Sequence, residues 1–125
     1  MGFDIYGAPR VPWLKKPKEI VANSYEEIMW QISTGRYFRS GGGSWEPIYH
    51  LIEKANSVYG LNLDLEYWNS NDDEGLSNPE DCTKLADAMV KLIADKQYTD
   101  IKNFDIEDAA YFIQFLYNTC AFTIS

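Results

Sequence analysis

At 125 residues, with 46% hydrophobic, 15% aromatic and 24% charged side chains, the chain is long enough for one domain, residues 1–125, with a core that needs no disulfide staples. A net charge of −8 and a pI near 4.5 argue against general nucleic-acid binding, because phosphate affinity depends on basic neutralisation. No apolar run approaches the roughly 18 residues of a membrane span, and the N-terminus lacks a signal-peptide apolar core. Cys82 and Cys120 are too few for a secreted framework and lack metal-ligand spacing. These features predict reduced, buried thiols and a cytoplasmic protein without a membrane partner.

In chain order, Gly2-Phe3-Asp4-Ile5-Tyr6-Gly7 alternates and reads as a first strand ended by Gly7. A proline-rich loop follows, where Arg10, Lys15, Lys16 and Lys18 face a single acid, Asp4, for a net of +3 over residues 1–18. The remainder carries −11. This basic patch is either a solvated, proline-stiffened loop or a phosphate contact. Ser24-Tyr25-Glu26-Glu27 is a capping box. Behind it Tyr25, Ile28, Met29 and Ile32 form the apolar stripe of a helix closed by Gly35, with Trp30 off the stripe.

Tyr37-Phe38-Arg39 leads as a strand end into Gly41-Gly42-Gly43, and Ser44-Trp45-Glu46-Pro47 starts a second helix with Ser44 as its N-cap. That helix runs to about Tyr59, burying Ile48, Leu51, Ile52, Ala55 and Val58, and stops at Gly60. Leu61, Leu63 and Leu65 alternate with polar residues as a strand would, and residues 69–78 are a polar loop. Ser77-Asn78-Pro79-Glu80 is a second capping box. The third helix follows to about Asp95, with Cys82, Leu85, Ala86, Met89, Val90 and Ile93 inward. Asp105 caps a fourth, whose stripe is Ile106, Ala109, Phe112, Ile113 and Leu116. Residues 121–124 form a closing strand. The expected fold is α+β: about four helices on a small sheet of three or four short strands, with both chain ends in the sheet and the second and fourth helices packed on it.

Catalytic patterns are thin. His50 is the only His and lies beside its helix's apolar stripe. Ser40 and Ser44 lack the Gly-x-Ser-x-Gly elbow, and Cys82 lacks an electropositive setting. Asn69, Asn71, Asp73, Leu76 and Glu80 match part of a calcium-loop spacing, but Glu74 stands where that loop needs Gly. No cofactor and no metal are expected.

A binding site is better supported. Tyr6, Tyr37 and Trp45 supply flat faces, and Arg39 is a bidentate donor for phosphate or carboxylate. Asp4, Asn71 and Asp72 lie at the rim. Nine Tyr and four Trp exceed what a small core needs, which places several rings on a contact surface. The reading is a non-enzymatic protein, monomeric or a small homo-oligomer, that binds a small anionic or planar ligand or a protein partner. Two alternatives stand beside it. One is a hydrolase of a small phosphorylated or nucleotide-like ligand with Asp4 and Asp72 as acids. The other is an acidic interaction protein that occupies a partner's basic nucleic-acid groove.

The blocks Gly2-Phe3-Asp4-Ile5-Tyr6-Gly7, Tyr37-Phe38-Arg39 and Trp45-Glu46-Pro47 together resemble a family of small uncharacterised bacterial and phage proteins. The likeness continues through Asn71-Asp72-Asp73-Glu74-Gly75 and Phe112-Ile113-Gln114-Phe115-Leu116 to Cys120-Ala121-Phe122. It departs from the family at Gly41-Gly42-Gly43, in two extra residues in the Asn-Asp-Gly loop, and at Cys120-Ala121, where the family has two glycines. The resemblance implies a shared fold and a shared site without assigning a reaction.

Overall fold

The computed structural model describes residues 2–70 and 74–125. Among them run β1 (Gly2–Pro9), α1 (Tyr25–Ser33), β2 (Tyr37–Gly41), α2 (Gly42–Val58), α3 (Pro79–Ala94), α4 (Ile106–Asn118) and β3 (Thr119–Ile124). The three strands form an antiparallel sheet in the order β2-β1-β3, which pairs Ile5 with both Phe38 and Ile124. α2 and α4 pack on it, so the expected α+β arrangement is the one adopted. Among the described residues, no helix is long and apolar enough to cross a membrane.

Alternation decides which side chains the sheet buries. Phe3, Ile5, Phe38 and Ser40 point inward and are buried, while Asp4, Tyr6, Tyr37 and Arg39 occupy the other face. Beneath the inward face lies an aromatic centre. Trp45 meets Phe112 edge-on at 5.3 Å and Phe3 at 5.8 Å, and Trp68 meets Phe122 edge-on at 5.5 Å. Much of the aromatic surplus therefore fills the core. Removing one such ring costs about 3–5 kcal/mol, through lost transfer energy and the cavity left behind.

The helix signals held where they are local. Ser24 caps α1 by accepting from Glu27 N, and Asp105 caps α4 by accepting from Glu107 N and Asp108 N. Gly35, at φ 70°, and Gly60, at φ 59°, end α1 and α2 as expected. Other expectations need correction. The cap of α3 is Asn78, not Ser77: Asn78 accepts from Asp81 N at 2.8 Å and returns a bond to the Asp81 carboxylate at 3.0 Å. α2 starts at Gly42, with Gly41 as an N-cap that has no side-chain bond, so Ser44 sits inside the first turn. Leu61, Leu63 and Leu65 form no strand; they pack half-buried against the core from an irregular segment. Val58, Val90 and Ile106 are exposed, whereas Phe115 is fully buried.

Gly7 does not end β1, which continues to Pro9. A Cβ there would stand 2.2 Å from Gly35 O and 2.6 Å from Thr119 Oγ1, so the glycine permits a close approach of backbones rather than a turn. Arg10 is not left to a phosphate. Its guanidinium donates to the carbonyls of Leu116 (3.1 Å) and Thr119 (2.9 Å) at the end of α4, and to Thr83 Oγ1 at 2.8 Å on α3. A cation is favourable at that helix terminus. Both thiols are free. Cys82 is buried, and burial pushes its pKa up to about 12, while Cys120 is half-buried.

Main-chain bonding follows the same alternation. Asp4 exchanges two bonds with Ser125 (3.0 and 2.7 Å), and Gly7 N donates to Arg36 O at 2.8 Å. Even-numbered residues of β1 thus bond to β3 and odd-numbered ones to β2. With this register, Phe38 and Ser40 turn their amides toward β1, while Tyr37, Arg39 and Gly41 turn theirs outward. On the opposite edge, Phe122 N donates to Leu76 O at 2.9 Å and Ile124 N to Glu74 O at 2.7 Å, so residues 74–76 cover β3.

Candidate functional site

The expected site divides between the two faces of the sheet. On the outer face, Asp4 lies directly across from Arg39, and Tyr6 across from Tyr37. The tyrosine rings sit 5.3 Å apart, the Tyr37 hydroxyl donates to Asp4 Oδ1, and Arg39 Nε lies 3.8 Å from the same oxygen. The Arg39 side chain is 73% exposed, so this ion pair is weak and the guanidinium keeps most of its donors. Burial first, then the bond to Asp4 and its charge, push the Tyr37 pKa up to about 12. At neutral pH the Tyr37 hydroxyl therefore keeps its proton and directs it at the carboxylate.

Trp45 is a correction. It is fully buried and packed against the inward-facing Phe3, and its Nε1 donates to Trp68 O at 3.0 Å. The sheet stands between Trp45 and Arg39, because a ring this large, next to Pro47 on the apolar side of α2, goes to the core. Asn71 and Asp72 lie outside the described residues.

What completes the site is α1, whose stripe was expected to be core. Only Ile32 is buried; Tyr25 is 66% and Ile28 50% exposed. α1 lies alongside the β2 edge, and between them runs a cleft of about 880 Å³ lined by Tyr6, Tyr37, Arg39, Gly41, Ile28 and Gln31. A smaller hollow of about 220 Å³ opens on the inward side of the same edge, where Phe38 and Ser40 meet Ile28, Met29 and Tyr111. Glu27 and Arg36 also line the larger cleft. Lys16 donates to Glu27 and neutralises it. Arg36 lies over the Trp30 ring at 4.4 Å and donates to Leu14 O at 2.6 Å, while its buried Nη1 finds no acceptor among the described residues. The charged residues lining the larger cleft are thus Arg36, Arg39 and Glu27, and Asp108 lines the smaller hollow, on a chain of net charge −8. The Tyr25-Ile28-Ile32 stripe was legible as an apolar helix face, but sequence carries no sign of how far that face stands from its neighbour.

The other candidates resolve simply. His50 is a surface residue between Glu46 (3.5 Å) and Glu53 (3.0 Å). Of the calcium spacing, Asn71 and Asp73 lie outside the described residues, Leu76 is buried and Glu80 is an exposed first-turn residue of α3. Among the described residues, no three His, Cys, Asp or Glu side chains come together as a metal set. No protein-family model matches the chain, and no curated protein and no solved structure matches it either.

Proposed function

We propose that this chain is a binding protein that takes a small anionic or planar ligand, or a protein segment bearing such a group, in the cleft between β2 and α1. The observation that carries this reading is the state of Arg39. Its guanidinium stands at the rim with 73% of its side chain exposed, beside a tyrosine pair and with a single distant carboxylate for a partner. A planar fork in that position suits a carboxylate or phosphate, and the rings of Tyr6 and Tyr37 suit a flat group next to it. The cleft's volume falls in the range of ligand sites.

The hydrolytic alternative asks Asp4 to act as an acid, yet its carboxylate already accepts from Tyr37 and faces Arg39, and no observation favours that role. The deciding experiment releases small molecules from the purified protein for mass spectrometry. It then measures the melting temperature with and without each molecule found, and with glutarate and phosphate as simple anions. Binding raises the melting temperature by mass action and leaves the ligand intact. Arg39→Ala is expected to keep the fold and abolish the rise. A rise that survives Arg39→Ala places the ligand elsewhere.

A further inference from the structure

We infer that the cleft receives an extended peptide segment, acidic and apolar at alternate positions, which adds to the open edge of β2 as a fourth strand. This rests on the binding reading above and gives the occupant its chemistry. Three independent features lead to it.

The first is the backbone. Tyr37 and Arg39 each turn an amide N–H and a carbonyl outward, Gly41 turns an N–H outward, and no described residue bonds to them. Such a row of unpaired groups is a template for another strand.

The second is the pair of hollows. Successive side chains of an added strand point to opposite faces of the sheet. Here one hollow lies on each face of the same edge, sharing Ile28, Ile32, Arg39 and Gly41. The inward one is lined by Phe38, Met29, Ile28 and Ile32, with Asp108 also on its wall, and suits apolar side chains, whereas the outward one adds Arg36 to the shared Arg39 and suits a carboxylate.

The third feature decides the kind of occupant. A second copy of this chain would have to bring its own α1 against this one, because α1 walls the groove along its length. A single strand needs only the roughly 4.8 Å spacing of a sheet neighbour. In the larger cleft Arg36 and Arg39 outnumber Glu27, and Arg39 stands exposed at its rim, which selects a segment with a carboxylate on that face.

Gly41 supplies the sharpest test. Its φ of −67° is the value proline prefers, and a Cβ there meets nothing within 4 Å. Gly41→Pro therefore deletes one outward N–H while the fold and Arg39 stay in place. Binding is measured by fluorescence anisotropy with a mixed library of labelled, amidated hexapeptides that alternate Asp or Glu with Val, Ile or Leu. A Lys-for-acid library is the control, and glutarate is titrated in parallel by calorimetry. The acidic library is expected to bind saturably and the basic one not to bind. Gly41→Pro should weaken the peptides about fivefold or more, the equivalent of one lost backbone bond. Gly41→Ala, which keeps the N–H, should weaken the peptides less than Gly41→Pro does, and glutarate binding is read separately through its response to Arg39→Ala. Peptide binding that ignores Gly41→Pro overturns strand addition, as does equal binding of the basic library. If glutarate binds in an Arg39-dependent way and the peptides do not, strand addition falls and the anion site stands. If neither binds, both readings fall.

Discussion

The two edges of this three-stranded sheet are finished in opposite ways. At β3, residues 74–76 run close enough for Phe122 and Ile124 to donate to Leu76 and Glu74, and Gly75 presses against the Phe122 carbonyl. At β2, a helix stands alongside but leaves a cleft, and the outward main-chain groups of Tyr37 and Arg39 remain open. Both devices protect a strand edge from indiscriminate pairing. Only the second leaves room for a partner. The sheet closes one edge with its own chain and merely screens the other, and Arg39 with the tyrosine pair lies on the screened side.

The largest expected effect breaks the closed edge. A Cβ at Gly75 would lie 2.0 Å from Phe122 O, a backbone atom with no freedom to give. Gly75→Ala should lower stability in urea denaturation by about 2–3 kcal/mol, the range of overpacked positions. Gly41→Ala at the open edge should change it by less than about 0.5 kcal/mol.

An intermediate effect sharpens the site. Tyr37 is held protonated up to about 12 by burial and by Asp4. Its folded value lies above the unfolded 10.0, so its contribution to stability is complete below pH 10 and is lost as pH rises from 10 to about 12. Ultraviolet titration of the phenolates, with Tyr37→Phe to assign the signal, checks this. Asp4→Asn should bring the Tyr37 midpoint part of the way down, because burial remains.

The smallest effect is the most informative about function. Arg39→Ala removes an ion pair at 3.8 Å from an exposed side chain, and should cost no more than about 0.5 kcal/mol in the same denaturation series. A loss of several kcal/mol would make Arg39 a structural residue.

Sequence disclosed those parts of this architecture that are local. Caps at Ser24 and Asp105 are a few residues long and read directly, as does the strand alternation that puts Asp4, Tyr6, Tyr37 and Arg39 on one face. What stayed hidden depends on distance between elements. The stripe Tyr25-Ile28-Ile32 has helical period whether or not a neighbour covers it, and only the fold shows that one member is buried. Trp45 has the chemistry of a binding ring and the surroundings of a core ring. Arg10 looks like part of a basic loop, yet it reaches Thr83 on α3, 73 residues away, and Leu116 near the end of α4, 106 residues away, and ties the two helices together. The three glycines after Ser40 suggested a bend; two of them begin α2, whose first-turn N–H groups need no helical partner.

Amide hydrogen exchange, read residue by residue by NMR, tests the difference between the edges most directly. Phe122 and Ile124, bonded across the closed edge, are expected to exchange as slowly as the ladder residues Phe38 and Ser40, while the alternating amides of Tyr37 and Arg39 exchange fast. Tyr37 and Arg39 protected to the same degree as Phe122 and Ile124 would mean that the β2 edge is closed and that the two edges do not differ.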